Sequence, residues 1–151
     1  MAPAWACATC GFRLGEPIAS LAASELCFVS DGRFPGRCVL TLREHATELF
    51  EASAPARRAF AEDMGRAARA IKLAVDAFKM NYEILGNTDA YLHAHLFPRY
   101  DWEPADRVGH PVWLYGTEAL ADGAVALSAR HDGLRARIVA ELDRLAPVRP
   151  L

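Results

Sequence analysis

The spacing of hydrophobic and polar residues predicts strands in two parts of the chain. Segments 25–29 and 37–42 are rich in strand-forming residues, and the connection between them contains Asp-Gly and Pro-Gly pairs. These pairs are strong turn signals, so we expect an antiparallel hairpin with a rather long loop. Segments 80–85 and 90–99 predict two further strands, separated by a turn at Gly86 and Asn87.

Between the two pairs of strands, the spacing of apolar residues becomes that of an amphipathic helix. From Pro55 to Lys79, apolar residues recur at spacings of three and four, which predicts a helix of about six to seven turns. A short helical piece is expected at 47–52, and a second amphipathic pattern covers 124–145. We expect the polar side of the long helix to face solvent, because its arginines alternate with acids; its charged residues are Arg57, Arg58, Glu62, Asp63, Arg66, Arg69, Lys72 and Asp76.

This order of elements predicts an α+β fold. We expect an antiparallel meander sheet of about five strands, a long helix across one face, and a C-terminal helix. With 151 residues, the chain is long enough to bury a core, and it contains no linker that would divide it. The sequence is therefore interpreted as one domain over 1–151.

Composition excludes several classes of partner. The net charge is −2, the pI is about 6.2, and mean hydropathy is +0.03, so no basic field draws the chain to nucleic acid or membranes. No apolar run approaches the roughly 18 residues that a transmembrane helix needs. The first residues lack the features of a signal peptide, which predicts a cytoplasmic protein. In that compartment four cysteines are expected to be thiols or metal ligands.

The most informative stretch is 86–100, which contains two histidines two residues apart. Side chains alternate along a strand, so His93, His95, Tyr91 and Phe97 are expected on one face and apolar residues on the other. Paired imidazoles can supply a nucleophile, an acid or base, or metal ligands. Alternatively, they are simply polar residues on the exposed face of a half-buried sheet.

A second motif lies near the N-terminus, where Cys7 and Cys10 form a CxxC followed by glycine. This spacing suits two thiolates on one tetrahedral zinc ion, provided that two more ligands exist. A redox pair is the weaker interpretation, because no strand precedes the motif. The remaining alternative is two unliganded thiols in a mobile tail.

The run Gly-Asn-Thr-x-x-Tyr-x-His-x-His-Leu-Phe-Pro-Arg-Tyr resembles the signature of the histidine triad (HIT) family. The likeness extends to Phe34-Pro35-Gly36 and Leu42-Arg43-Glu44-His45, which resemble the family's hairpin and the loop before its first helix. About 7–100 carries the resemblance, and 101–151 is a C-terminal extension. The resemblance implies the same α+β fold and a homodimer.

The resemblance assigns roles to the residues of the motif. Aligned on Pro-Arg, His93 occupies the position of the family's nucleophile, and His95 that of a histidine binding phosphate oxygens. Asn87 stands where the family places a phosphate-contacting amide. The first triad position is Tyr91, which departs from the pattern; its alternatives are a strand aromatic or a hydroxyl replacing the lost hydrogen bond. No catalytic role is expected for Arg99.

The same departure affects the metal site that the resemblance implies. In zinc-binding members the ligands match Cys7, Cys10, His45 and the first triad histidine, which here is Tyr91. A neutral phenol with a pKa near 10 is a poor zinc ligand, so the fourth ligand is missing. Structural zinc is left open, and the chemistry expected of the family requires no metal.

By resemblance, the protein is a nucleotide hydrolase or transferase. It would cleave at the α-phosphate of a dinucleoside polyphosphate or a nucleoside phosphoramidate, through a nucleotidyl-histidine, with a purine nucleotide or related small molecule as ligand. The alternative is a catalytically weak nucleotide-binding or interaction protein. Trp113 and Tyr115 are interpreted either as core residues or as a cover for the site or dimer interface.

Overall fold

The computed structural model describes residues 5–115 and 131–145. This part of the chain contains five strands and two α-helices. The strands are β1 (Glu16–Ser20), β2 (Ser24–Phe28), β3 (Cys38–Leu42), β4 (Lys79–Glu83) and β5 (His93–Arg99). The helices are α1 (Ala54–Val75) and α2 (Leu134–Arg144), and a short 3₁₀ helix covers Val112–Tyr115.

The five strands form one antiparallel sheet in the order β1-β2-β3-β5-β4. The predicted antiparallel sheet with helices is confirmed, with one difference from a simple meander: β5 lies between β3 and β4. The hairpin β2–β3 and the strands β4 and β5 lie where the pattern predicts them. β1 was not predicted, because a short edge strand containing Pro17 carries little hydrophobic alternation.

The two faces of the central strand β5 have different environments. Leu92, Ala94 and Leu96 pack into the main core with residues of α1, as the apolar side of the alternation predicts. Phe97 belongs to a second cluster on the opposite face, with Phe34 and Val112. The helices therefore cover one face of the sheet, while the histidine side chains lie on the other.

Helix α1 is set by local signals at both ends. The side chain of Ser53 accepts a hydrogen bond from the backbone of Ala56, and Pro55 lies in the first turn. The helix ends at Val75 because Asp76 adopts a left-handed conformation with φ of +53°. It is thus shorter than predicted, and Phe78 lies outside it, half exposed.

The predicted helical piece at 47–52 is wrong. The carboxylate of Glu51 accepts hydrogen bonds from the backbone of Thr47 and Glu48 and from the Thr47 hydroxyl. These bonds compete with helix formation and stabilise a turn instead.

Two residues assigned to the solvated face of α1 instead connect it to neighbouring elements. Asp63 is only 3% exposed, and its carboxylate accepts from the backbone N–H groups of Ala22 and Ala23 in the β1–β2 turn. Arg66 donates to the carbonyls of Leu142 and Leu145 at the end of α2. Both contacts join segments distant in sequence, so helical periodicity alone could not reveal them.

Helix α2 packs beside α1 through Leu134, Ile138 and Leu142. It is the C-terminal half of the predicted helix at 124–145; residues 124–130 of that prediction lie outside the described residues. Neither α1 nor α2 is long and apolar enough to cross a membrane, and no other described helix is.

The contact of Asp63 with the β1–β2 turn predicts a stability effect. Replacing Asp63 with alanine leaves two backbone donors without their acceptor, so we expect a loss of about 2–3 kcal/mol in unfolding free energy, measured by urea denaturation. The matched control is Glu62→Ala, which removes an exposed carboxylate from the adjacent position and should change stability by less than about 0.5 kcal/mol. Equal stability of the two variants would contradict this role.

Candidate active site

The two histidines of β5 lie side by side on the face of the sheet opposite the helices. Both are buried, with exposures of 3% for His93 and 9% for His95. Their Nε2 atoms are 3.2 Å apart. On its other side, the Nδ1 of His93 lies 2.6 Å from the backbone carbonyl of Tyr91.

This carbonyl fixes the tautomer of His93. A carbonyl oxygen can only accept, so the proton of the imidazole lies on Nδ1 and the lone pair on Nε2. The lone pair points toward His95, whose Nε2–H donates to it. The arrangement presents His93 as a neutral imidazole with its free nitrogen directed into the site.

Arg37 completes the row of polar groups beyond His95. Its Nη2 lies 3.5 Å from the Nδ1 of His95, and a guanidinium can only donate. The proton of neutral His95 therefore lies on Nε2, in agreement with its contact to His93. Burial, the Arg37 charge and His93 lower the pKa of His95 to about 3, so this imidazole is neutral at physiological pH.

The position of Arg37 depends on the loop before β3. Gly36 has a φ of +95°, and a Cβ at this position would lie 2.8 Å from Val75, so only glycine fits. Asp31 then pairs with the Arg37 guanidinium at 3.1 Å, and the guanidinium carbon lies 4.5 Å from the centre of the Phe97 ring. The cation is thus held from two sides.

Trp113 and Glu83 form the wall of the site next to His95. The indole meets His95 edge to face, with ring centres 5.1 Å apart, and also packs on Phe97. Glu83 is the cross-strand partner of His95 on β4, and burial raises its pKa. Of the two aromatics left open by the sequence, Trp113 contacts the site, whereas Tyr115 packs with Phe34.

Arg99 holds this wall in place. It is 2% exposed and forms an ion pair of 2.8 Å with Glu103, and it also donates to the carbonyls of Arg107, Val108 and His110. The hydroxyl of Tyr115 joins the same cluster. The segment carrying Trp113 is therefore attached to the end of β5, which gives the Pro-Arg of the motif a structural role.

Asn87 lies in the loop between β4 and β5 and is exposed. Gly86 precedes it with a φ of +65°, which forms the predicted turn. In contrast to the histidines, Asn87 makes no contact that places it at the site.

A second cluster joins the N-terminal motif to the loop after β3. The ligand atoms of Cys7, Cys10 and His45 all lie within 4.8 Å of one another. The Sγ of Cys7 is 3.5 Å from the Nδ1 of His45, and all four cysteines of the chain are free thiols. Thiolate and imidazole are ligands that zinc prefers, so three of its four usual ligands are present.

Tyr91 lies beside this cluster but is occupied elsewhere. Its hydroxyl donates to the carbonyl of Leu42, and its ring meets that of His45 edge to face. The adjacent Tyr91 side chain is nevertheless the largest of the influences that lower the pKa of Cys7 to about 6. Tyr91 is 2% exposed and precedes β5, so it packs as a buried aromatic.

Phe12 connects the two clusters. Its ring stacks on Tyr91 with centres 4.5 Å apart and planes 7° from parallel, and lies 5.6 Å from the His93 ring. The N-terminal segment thus covers the side of His93 that faces away from His95.

The structure places His93 beside His95, as strand alternation predicts. It also groups Cys7, Cys10 and His45, as the family resemblance implies. Sequence reasoning missed Arg37, Glu83 and Phe12. Alternation along β3 offered a signal for Arg37. Cys38 pairs with Leu96 on the apolar face, so Arg37, one residue earlier, lies on the same face as His95. No local pattern pointed to Glu83 or Phe12, whose positions depend on strand register and on the fold of the N-terminal segment.

Comparison with known proteins gives the same fold. No family model and no curated protein matches the chain. Among solved structures, a histidine triad protein from Sinorhizobium meliloti is 26% identical, covers 84% of this chain and 89% of its own, and has a TM-score of 0.68.

Two more distant structures share the fold. A hypothetical histidine triad nucleotide-binding protein from Sulfolobus tokodaii is 14% identical, with 88% and 87% coverage and a TM-score of 0.63. A Zn-bound histidine triad family protein from Mycobacterium smegmatis is 15% identical, with 91% and 90% coverage and a TM-score of 0.61.

The similarity in fold covers most of the chain. It agrees with the likeness of the 86–100 stretch to the family signature. The chain therefore has the fold of the histidine triad proteins, which confirms the resemblance seen in its sequence.

Proposed function

We propose that the protein is a nucleotide hydrolase or transferase that acts at an α-phosphate, with His93 as the nucleophile. The observation that carries this proposal is the 2.6 Å contact between His93 Nδ1 and the carbonyl of Tyr91. It leaves Nε2 unprotonated and directed into the site, as nucleophilic attack requires. The proposed substrates are dinucleoside polyphosphates and nucleoside phosphoramidates.

In the first step, the lone pair of His93 Nε2 attacks the α-phosphorus. A nitrogen–phosphorus bond forms, and the bond to the leaving group breaks. The electron pair goes to that group, and a departing amine also takes a proton from solvent. The Tyr91 carbonyl stabilises the positive charge that develops on the ring. Water then attacks the nucleotidyl-histidine, which releases a nucleoside monophosphate and restores His93.

His95 acts as the partner for phosphate in this scheme. Its Nε2–H, which donates to His93 in the free protein, would turn to a phosphate oxygen once the substrate is bound. By the family resemblance, the amide of Asn87, on its exposed loop, would contact the same phosphate. No metal ion is needed for these steps.

The second candidate, a nucleotide-binding protein with little activity, is favoured by Tyr91 at the first triad position. The backbone of that residue nevertheless supplies the carbonyl that orients His93, and a backbone carbonyl does not depend on the side chain. For this reason we favour the enzyme.

The role of His93 predicts the outcome of a substitution. His93→Ala should lower release of AMP from adenosine phosphoramidate and from a diadenosine polyphosphate by at least about 10³-fold, because the attacking nitrogen is lost. The measurement is AMP release by chromatography, together with mass spectrometry of quenched wild-type protein for one nucleotidyl group on His93.

The matched control is His110→Ala, which removes an exposed histidine outside the row and should leave turnover unchanged. Full activity in folded His93→Ala would refute the mechanism. Tight binding of AMP without turnover in the wild-type protein would favour the second candidate.

We also propose that Cys7, Cys10 and His45 hold a structural zinc ion weakly. The Zn-bound relative and the close grouping of the three ligand atoms support this. Zinc would attach the N-terminal segment to the loop after β3, and the catalytic steps would not involve it.

The missing fourth ligand predicts the effect of one substitution on metal affinity. Tyr91→His should raise zinc affinity by at least about tenfold, because a fourth nitrogen ligand completes the tetrahedral set. Competition with a chromophoric chelator measures this, and Cys10→Ser in the same background should remove the gain. Unchanged affinity in Tyr91→His would contradict the assignment of this cluster.

The protein is further proposed to form a homodimer through the outer edge of β4, which pairs with no other strand among the described residues. Exposed apolar side chains lie along and beside this strand, namely Phe78, Tyr82, Ile84 and Leu85. Sedimentation should give the mass of two chains, and Tyr82→Lys should shift the protein toward the monomer. A wild-type monomer at all concentrations tested would refute the dimer.

A further inference from the structure

The paired imidazoles create a problem for a nucleophile. With their Nε2 atoms 3.2 Å apart, a second proton taken up by His95 can pass to the lone pair of His93. A protonated nitrogen cannot attack phosphorus. An interaction that disfavours a second proton on His95 would therefore preserve the lone pair of His93.

Arg37 is placed to do this. Its Nη2 lies 3.5 Å from His95 Nδ1, which is the nitrogen that would receive the second proton. A guanidinium is always charged in a protein and offers no lone pair, so it occupies the position with a fixed positive charge. The side chain is only 13% exposed, which limits screening by solvent.

The charge cannot easily move aside. The guanidinium pairs with Asp31 at 3.1 Å and lies over the ring of Phe97, and Gly36 directs the chain into this place. Its buried Nε has no hydrogen-bond partner among the described residues. The fold therefore tolerates the cost of one unsatisfied donor in order to bury this guanidinium.

We propose that Arg37 is a positioning residue that holds His95 in its neutral state and thereby keeps the His93 lone pair available in mildly acidic solution. The inference about His95 stands on the geometry, whereas its consequence for catalysis rests on the proposed function. The low pKa of His95, caused by burial and then by Arg37, is consistent with it.

Other charged groups face His95 from each neighbouring element. His93 lies beside it on β5, Glu83 opposite it on β4, and Asp31 behind Arg37 in the β2–β3 loop. Both carboxylates would favour a proton on His95. Arg37 opposes it with a fixed charge in direct contact, His93 opposes it more weakly, and Arg37 also neutralises Asp31.

The test is Arg37→Met, which removes the charge and the donor while keeping much of the length. In the wild-type protein, ¹⁵N NMR should show neutral His95 down to the lowest pH at which the chain stays folded. In Arg37→Met the midpoint of its titration should rise by at least about one pH unit. The apparent pKa on the acid side of the kcat/KM pH profile should rise by a similar amount.

Arg33→Met is the matched control. Arg33 pairs with the same Asp31 carboxylate, at 2.8 Å, but the contact of Arg37 with His95 remains in this variant. The titration of His95 should stay as in the wild-type protein. If Arg37→Met does not fold, Arg37→Gln carries the same expectation, because it too removes the charge.

Identical titration of His95 in the wild-type and Arg37 variants, or no titration in either, would overturn the inference. An equal rise in Arg33→Met would also overturn it, since the effect would then arise through Asp31. If the midpoint rises as expected but the wild-type protein cleaves none of the substrates, only the proposed function fails.

Discussion

The hydrogen bonding of β5 on both of its sides is the constraint on which the site depends. β3 pairs with it from His93 to Leu96, and β4 pairs with it as far as Arg99. A strand held on both edges cannot slip by one residue without turning its apolar side chains away from α1. The rigidity that places two imidazoles 3.2 Å apart is therefore a property of the sheet and its core.

Register also explains why groups from three strands meet at one point. Glu83 lies opposite His95, and Arg37, just before β3, lies on the same face. Pro98 contributes by lacking an N–H: the ladder with β3 stops at Leu96, while β4 continues along the other edge. The last residues of β5 therefore do not pair with β3. At this end of the strand, Arg99 anchors the segment that carries Trp113.

Much of this could be predicted from the sequence, because the signals were local. The alternation of apolar residues around His93 and His95 predicted their common face. The CxxC spacing suggested a metal site, and the family resemblance added His45 to it. Asp63, by contrast, matched the polar side of a helix, and nothing nearby showed that it binds the backbone of a turn 40 residues earlier. Arg37 was missed for a related reason: its chemistry depends on a partner 58 residues away.

Tyr91 shows how one residue can serve two clusters through different atoms. The backbone carbonyl orients His93, and that interaction survives any substitution that preserves the strand entry. The side chain serves the other cluster, where its ring packs against Phe12 and His45. An aromatic ring stabilises the N-terminal segment through packing, which requires no metal ion. The two contacts of the position are thus made by different atoms, so a change of side chain at this position leaves the carbonyl that orients His93 in place.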